Sequence, residues 1–157
     1  MSKKKRNKFE INFYDEDRRY ALIIYAVFSI FTLFMTLFNN PYYTMVQGPF
    51  EPIYLTLTWM LISVLVICFI LCLLRKSMAE LLILIIGIVI MIFLLFEKTA
   101  CFITFPKELS PGTYVDYISI NVFKLIFLIY RFLKVNRVIK ANKEYKEIVD
   151  DLTKEGK

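Results

Sequence analysis

The residue types that most proteins use for catalysis or metal binding are scarce in this chain. It contains no histidine, which excludes a histidine general base, serine–histidine and cysteine–histidine nucleophiles, haem held by histidine, and histidine-ligated zinc. The three cysteines, Cys68, Cys72 and Cys101, are too few for a disulfide framework or a four-cysteine metal site. We therefore expect no catalytic residues, no metal and no cofactor.

Lys124 is the residue least suited to its surroundings. It lies in an otherwise apolar stretch, about 12 Å along a helix from Asp116, and a cationic side chain at the centre of a membrane helix costs about 2.5–3.5 kcal/mol to insert. One helical face of this stretch forms a predicted intramembrane polar stripe: Tyr117, Asn121, Lys124 and Arg131. Three interpretations stay open for Lys124, namely contact with an ion or substrate, an ion pair with a partner's carboxylate, or a side chain that reaches toward the membrane surface.

The elements that must position these residues are apolar helices. Apolar residues make up 58% of the 157 residues and the mean hydropathy is +0.57, which is too apolar for an ordinary soluble domain. Four stretches approach the ~20 residues of a membrane-spanning helix, at about 20–38, 53–74, 78–96 and 115–133, and the third is preceded by Ser77–Glu80, a predicted capping box. The predicted fold class is an all-α integral membrane protein, with four transmembrane helices in an up-down bundle and a cytoplasmic C-terminal helical extension.

Basic residues indicate the orientation of these spans. With four spans, the segments 1–19, 75–80 and 131–157 share one side and carry 17 of the 20 Lys and Arg residues, whereas the two loops on the opposite side carry two. Positively charged loops tend to stay in the cytoplasm. We therefore predict a multi-pass membrane protein with both termini cytoplasmic, in the cell membrane of a bacterium or an organelle membrane of a eukaryote.

Both ends of the chain carry patterns outside the predicted 20–133 membrane domain. The tail 1–19 contains a basic cluster, and contact with anionic lipid headgroups is one interpretation of it while a simple topology signal is the other: Lys3, Lys4, Lys5, Arg6 and Lys8. The tail 134–157 is predicted to be an amphipathic helix, because its seam residues alternate three and four apart: Val135, Val138, Asn142, Tyr145, Val149 and Leu152. This seam could dock a partner or lie against its own bundle.

These features favour a non-enzymatic accessory, structural or regulatory subunit of a larger membrane complex. Its expected partners are the bilayer, anionic lipid, and another integral membrane protein or further copies of itself; the net charge of +6 does not indicate nucleic acid, since the basic residues flank the spans. The alternative is a small oligomeric channel or transporter lined by the polar stripe. A lipid-modifying membrane enzyme is less favoured, because its candidate acids are scattered without motif spacing: Glu51, Glu97, Glu108 and Asp116.

Overall fold

Every element that the structure describes is an α-helix. The computed structural model describes residues 3–38, 51–104 and 111–155, and within them the side-chain surroundings of 18–37, 53–100, 103, 115, 118–148 and 151. The helices are α1 (Lys3–Phe38), α2 (Glu51–Leu73), α3 (Ser77–Thr104) and α4 (Pro111–Glu155). The prediction of an all-helical chain is confirmed over these residues.

Three of the four helices are long and apolar enough to cross a membrane. The qualifying segments are Arg18–Leu37 of α1, Ile53–Leu73 of α2 and Ser77–Ala100 of α3. They indicate a membrane-embedded protein, since segments of this length match the hydrocarbon thickness of a bilayer. α4, which carries Lys124 and Arg131, is not among these three.

The helices extend beyond the stretches expected from hydropathy. α1 begins at Lys3 and so includes the basic N-terminal segment, α3 runs on to Thr104, and α4 is one uninterrupted helix of 45 residues. Such a helix is about 67 Å long, roughly twice the thickness of a bilayer's hydrocarbon core. Part of α4 must therefore lie outside any membrane that the bundle crosses.

The helices pack in chain order. α1 packs against α2, α2 against α3 and α3 against α4, while the contact between α1 and α4 is the smallest of these four. Tyr25 of α1 and Arg131 of α4 both reach Glu80 at the start of α3, and Arg131 also reaches Cys72 at the end of α2. At the other end of the bundle, Thr36, Tyr54, Leu94 and Asn121 line one cavity, so successive helices run antiparallel around one core.

A tight turn joins α2 to α3. The N–H of Lys76 donates to the carbonyl of Leu71, and the N–H of Arg75 donates to that of Cys72. Arg75 has φ of 60°, so these bonds form a Schellman cap with arginine at the left-handed position that glycine usually occupies. The cap turns the chain back within three residues and holds α2 and α3 side by side.

The predicted capping box at Ser77–Glu80 is wrong. The first backbone hydrogen bond of the helix runs from the N–H of Glu80 to the carbonyl of Lys76. Lys76 is therefore the N-cap residue, and Ser77, the expected cap, is the first residue inside the helix. The Glu80 side chain, which a capping box would turn back toward Ser77, is instead fully buried in the bundle. An ion pair with α4 takes the place of the local cap.

Gly87 permits the close approach of the central helix. A Cβ atom at this position would lie 2.9 Å from Cγ1 of Val64 on α2 and 3.6 Å from Cδ1 of Leu128 on α4. Val64 and Leu128 belong to the core, and a valine methyl has little freedom to move away. Gly87 therefore sets how closely α3 packs against its two neighbours.

Candidate functional site

A buried ion pair lies near the end of the bundle at which the α2–α3 turn is found. Nε of Arg131 lies 2.8 Å from Oε1 of Glu80, and Nη2 lies 3.2 Å from Oε2. The hydroxyl of Tyr25 donates to the same Oε1 at 3.0 Å, and Nη2 of Arg131 lies 3.6 Å from Sγ of Cys72. One carboxylate thus joins groups from α1, α3 and α4, and the guanidinium adds α2.

The geometry of this cluster suits a structural role. The guanidinium meets the carboxylate through two parallel contacts, the arrangement that gives arginine its directional strength. Both side chains are almost entirely removed from solvent, so removing one of them would leave the other charge buried without compensation. The cluster joins four helices at one depth.

A cavity whose mixed lining includes several polar side chains, here called the polar cavity, lies on the side of this cluster away from the α2–α3 turn. Its volume is about 50 Å³, enough for a few water molecules, since a site of roughly 10–15 Å³ already admits one. Lys124 and Asn121 of α4 face it, and both are buried. The remaining lining residues come from α1, α2, α3 and α4: Phe31, Thr32, Met35, Thr36, Tyr54, Thr58, Leu61, Leu94 and Ile120.

The charge of Lys124 has no carboxylate beside it among the described residues. Its Nζ lies 5.7 Å from the centre of the Phe31 ring, a distance at which an aromatic face still attracts a cation weakly. The hydroxyl of Thr32 is buried without a hydrogen-bond partner in the described structure, and so is that of Ser29 one turn away. The cavity therefore presents a cation and an unsatisfied hydroxyl.

A second pair of charged residues is buried toward the far end of α3. Nζ of Lys98 lies 3.8 Å from the centre of the Tyr54 ring, a close cation–π contact. Both carboxylate oxygens of Glu97 are buried with no hydrogen-bond partner in the described structure. Glu97 is not among the residues that line the Lys124 cavity.

The chemistry that this interior supports is recognition of an anion. A lysine ammonium and a hydroxyl donate hydrogen bonds, and a water-poor cavity strengthens their attraction for negative charge. Within the described residues, no three His, Cys, Asp or Glu side chains are grouped as metal ligands would be. The two thiols described, Cys68 and Cys72, are buried and unbridged.

The structure brings three of the four polar-stripe residues into the bundle interior. Asn121 and Lys124 share the cavity, whereas Arg131 lies seven residues further along, in the ion pair. The side chain of Tyr117 lies outside the described residues. The described residues of the stripe therefore contribute to two separate sites, the cavity and the ion pair, and do not line one continuous path.

The predicted docking tail divides in the same way. Val135 and Val138 are buried in the protein's own bundle, whereas Asn142 and Tyr145 are half-buried. The side chains of Val149 and Leu152 lie outside the described residues, as do those of the predicted headgroup-contact cluster: Lys3, Lys4, Lys5, Arg6 and Lys8.

Sequence reasoning missed the partners of Arg131. Glu80 lies in the first turn of α3, just after the Arg75–Lys76 turn, and Arg131 lies near the end of the predicted fourth span. Antiparallel helices therefore place both residues at the same end of the bundle. That depth match was a usable signal. Tyr25 gave no such signal, because a tyrosine in an apolar helix is equally typical of ordinary packing.

Comparison with known proteins gives no match: no family model fits the chain, and no curated protein or solved structure is detectably similar to it.

Proposed function

We propose that this chain is a four-span membrane protein with both termini in the cytoplasm, acting without catalysis as an accessory, structural or regulatory subunit of a larger membrane complex. The observation that carries the proposal is the end of α4, which continues as a helix to Glu155, well past Val138, the last buried residue that the structure describes in it. The absence of histidine from the sequence favours a binding role over a catalytic one.

The outward face of α4 supports a fourth span. Its charged residues Lys124 and Arg131 are turned inward and buried. The residues exposed between 122 and 133 are all apolar or aromatic, as lipid contact requires: Val122, Phe123, Ile126, Ile129, Tyr130 and Leu133. With α4 in the membrane, both chain ends and the α2–α3 turn lie on one side, where 17 basic residues favour the cytoplasm.

The end of α4 supports a docking role. Residues 139–155 would extend about 25 Å beyond Val138, the last buried residue in the described part of this helix. The surface pair Lys143–Glu147 spans 3.9 Å between highly exposed side chains and contributes little. A helical segment of this length gains most of its stability from packing, and Asn142 and Tyr145 are only half-buried in this chain, so packing of the seam against another protein would stabilise it.

Truncation after Lys140 tests this role, because it keeps Val135 and Val138 in the core. We expect the shortened chain to insert and remain folded but to lose its partner, measured by native mass spectrometry of the protein purified in mild detergent. Tyr145→Ser should weaken the complex, whereas Lys146→Ser on the exposed face is the matched control. An unchanged stoichiometric complex after truncation would show that the tail only sets topology.

A channel or transporter is the second candidate, and the polar cavity at Lys124 favours it. If ions or small anions pass this site, Lys124→Glu should invert or abolish ion selectivity in reconstituted vesicles while the protein stays assembled. If Lys124 serves assembly instead, Lys124→Met should reduce complex yield without affecting conductance. The wild-type protein purifying only as a homo-oligomer would favour the channel, and a single different partner would favour the accessory subunit.

A further inference from the structure

The small contact between α1 and α4 leaves a groove on the outside of the bundle. Its lining is almost wholly apolar or aromatic, and the residues at its centre are Val27 and Phe28 of α1 and Phe123 of α4. The other lining residues lie above and below these three: Ile24, Phe31, Ser119, Ile120, Lys124, Ile126, Phe127 and Tyr130. The Phe127 ring packs edge to face against Phe28, which also lines the groove, and against the buried Tyr25, with ring centres 5.4 and 5.3 Å apart.

The groove leads to the polar cavity. Phe31, Ile120 and Lys124 line both the cavity and the upper part of the groove. The cation therefore stands at the junction between an apolar surface open to the surroundings and a small polar interior. From Ser119 to Tyr130, the groove follows α4 for about 16 Å, close to half of the ~30 Å hydrocarbon thickness of a bilayer.

We infer that this groove and cavity bind a long-chain carboxylate, with its carboxylate at Lys124 and Thr32 and its hydrocarbon chain lying between α1 and α4. The charges match, because the buried ammonium has no carboxylate beside it in the described structure and the buried hydroxyl of Thr32 lacks an acceptor. The hydrocarbon chain of the ligand would replace lipid along the apolar groove, while its carboxylate would accept hydrogen bonds from Lys124 and Thr32.

The size and depth of the cavity decide between possible heads. About 50 Å³ accommodates a carboxylate but not a phospholipid headgroup with its glycerol and substituents. If α4 spans the membrane as proposed above, Lys124 lies near mid-depth, where a large polar headgroup would lose its water at great cost. A carboxylic acid can reach that depth uncharged, whereas a phosphate head keeps its charge.

Photolabelling of the purified full-length chain tests the site without any partner protein. The probe is palmitic acid with a diazirine in its chain, added to the protein in phosphatidylcholine nanodiscs. We expect cross-links on α1 and α4 peptides that bear the groove residues. Palmitate should compete with the probe, whereas methyl palmitate, which has the same chain without the charge, should compete about tenfold less well or worse.

Two substitutions separate the head site from the chain site. Lys124→Met should weaken labelling about tenfold or more, with the exposed Lys140→Met as its control. Val27→Trp should obstruct the groove, whereas Ile30→Trp, on an exposed part of α1 outside the groove, should leave labelling unchanged. Because Val27 is itself 55% exposed, this second arm does not depend on whether Lys124→Met folds.

Several outcomes would overturn the inference. Equal competition by methyl palmitate, or equal labelling of Val27→Trp and Ile30→Trp, would reduce the groove to a general lipid contact. Equal competition by lysophosphatidic acid would assign the site to a phosphate head. These results leave the accessory role untouched, because the labelling uses the chain alone; conversely, a dispensable α4 tail would not affect the labelling.

Discussion

Two buried cations of this bundle, Arg131 and Lys124, differ in what surrounds them. Arg131 is paired with Glu80, whose carboxylate also accepts a hydrogen bond from Tyr25, and it contacts Sγ of Cys72, so its charge joins helices. Lys124 faces a cavity, and its Nζ lies 5.7 Å from the centre of the Phe31 ring. The charge of Arg131 is neutralised by a carboxylate of the same chain, whereas the cavity at Lys124 has room for a small ligand.

Replacing one member of the Glu80–Arg131 ion pair should destabilise the fold more than replacing both members. Arg131→Met alone leaves the Glu80 carboxylate buried and unpaired, and should lower the free energy of unfolding by about 3–5 kcal/mol. The double variant Glu80→Leu/Arg131→Met should recover most of that loss, because the apolar side chains need no partners. Denaturant titration in detergent micelles measures both.

The control for this pair is Lys143→Met, which removes a surface ion pair and should cost less than about 0.5 kcal/mol. If the double variant is as unstable as Arg131→Met, the interpretation of a mutually compensating pair is wrong, and packing around Tyr25 would be the larger contribution.

At the level of the helices, the packing of α3 depends on Gly87, which has no side chain. Gly87→Leu would place atoms where Val64 and Leu128 already lie, and should destabilise the protein by about 1–3 kcal/mol through overpacking. Val89→Leu, on the exposed side of the same helix, is the matched control and should change stability by less than about 0.5 kcal/mol.

Thermal unfolding of both α3 variants in the same detergent provides the measurement. A Gly87→Leu protein as stable as the wild type would mean that α2 and α4 can move apart at little cost. In that case the close approach of the three helices would not be a requirement of the fold.

At the scale of the whole molecule, the two long helices project beyond the bundle in the same direction. α1 enters from Lys3 and α4 leaves toward Glu155, and Tyr25 and Arg131 meet at the level of Glu80. The segments before Tyr25 and after Arg131 therefore extend on the side of the α2–α3 turn.

Reporter fusions test the orientation of the whole chain. Fusions after residues 1, 45, 77, 108 and 157 should report inside, outside, inside, outside and inside, because 17 basic residues lie on the proposed cytoplasmic side. An outside report from position 157 would contradict the four-span arrangement and would place α4 on the membrane surface. The fusions after 1 and 77 are the internal controls.

The sequence alone determined the helical class, because long apolar stretches allow few alternatives to helices, and it identified Lys124 as costly from its type and its neighbours. Only the tertiary structure decided that Glu80 pairs with Arg131 instead of capping its own helix. Both outcomes satisfy the same carboxylate, and the choice depends on which helix packs alongside. The cavity and the α1–α4 groove were likewise beyond the sequence, since empty space arises from how side chains of several helices meet, and no residue pattern along one helix encodes it.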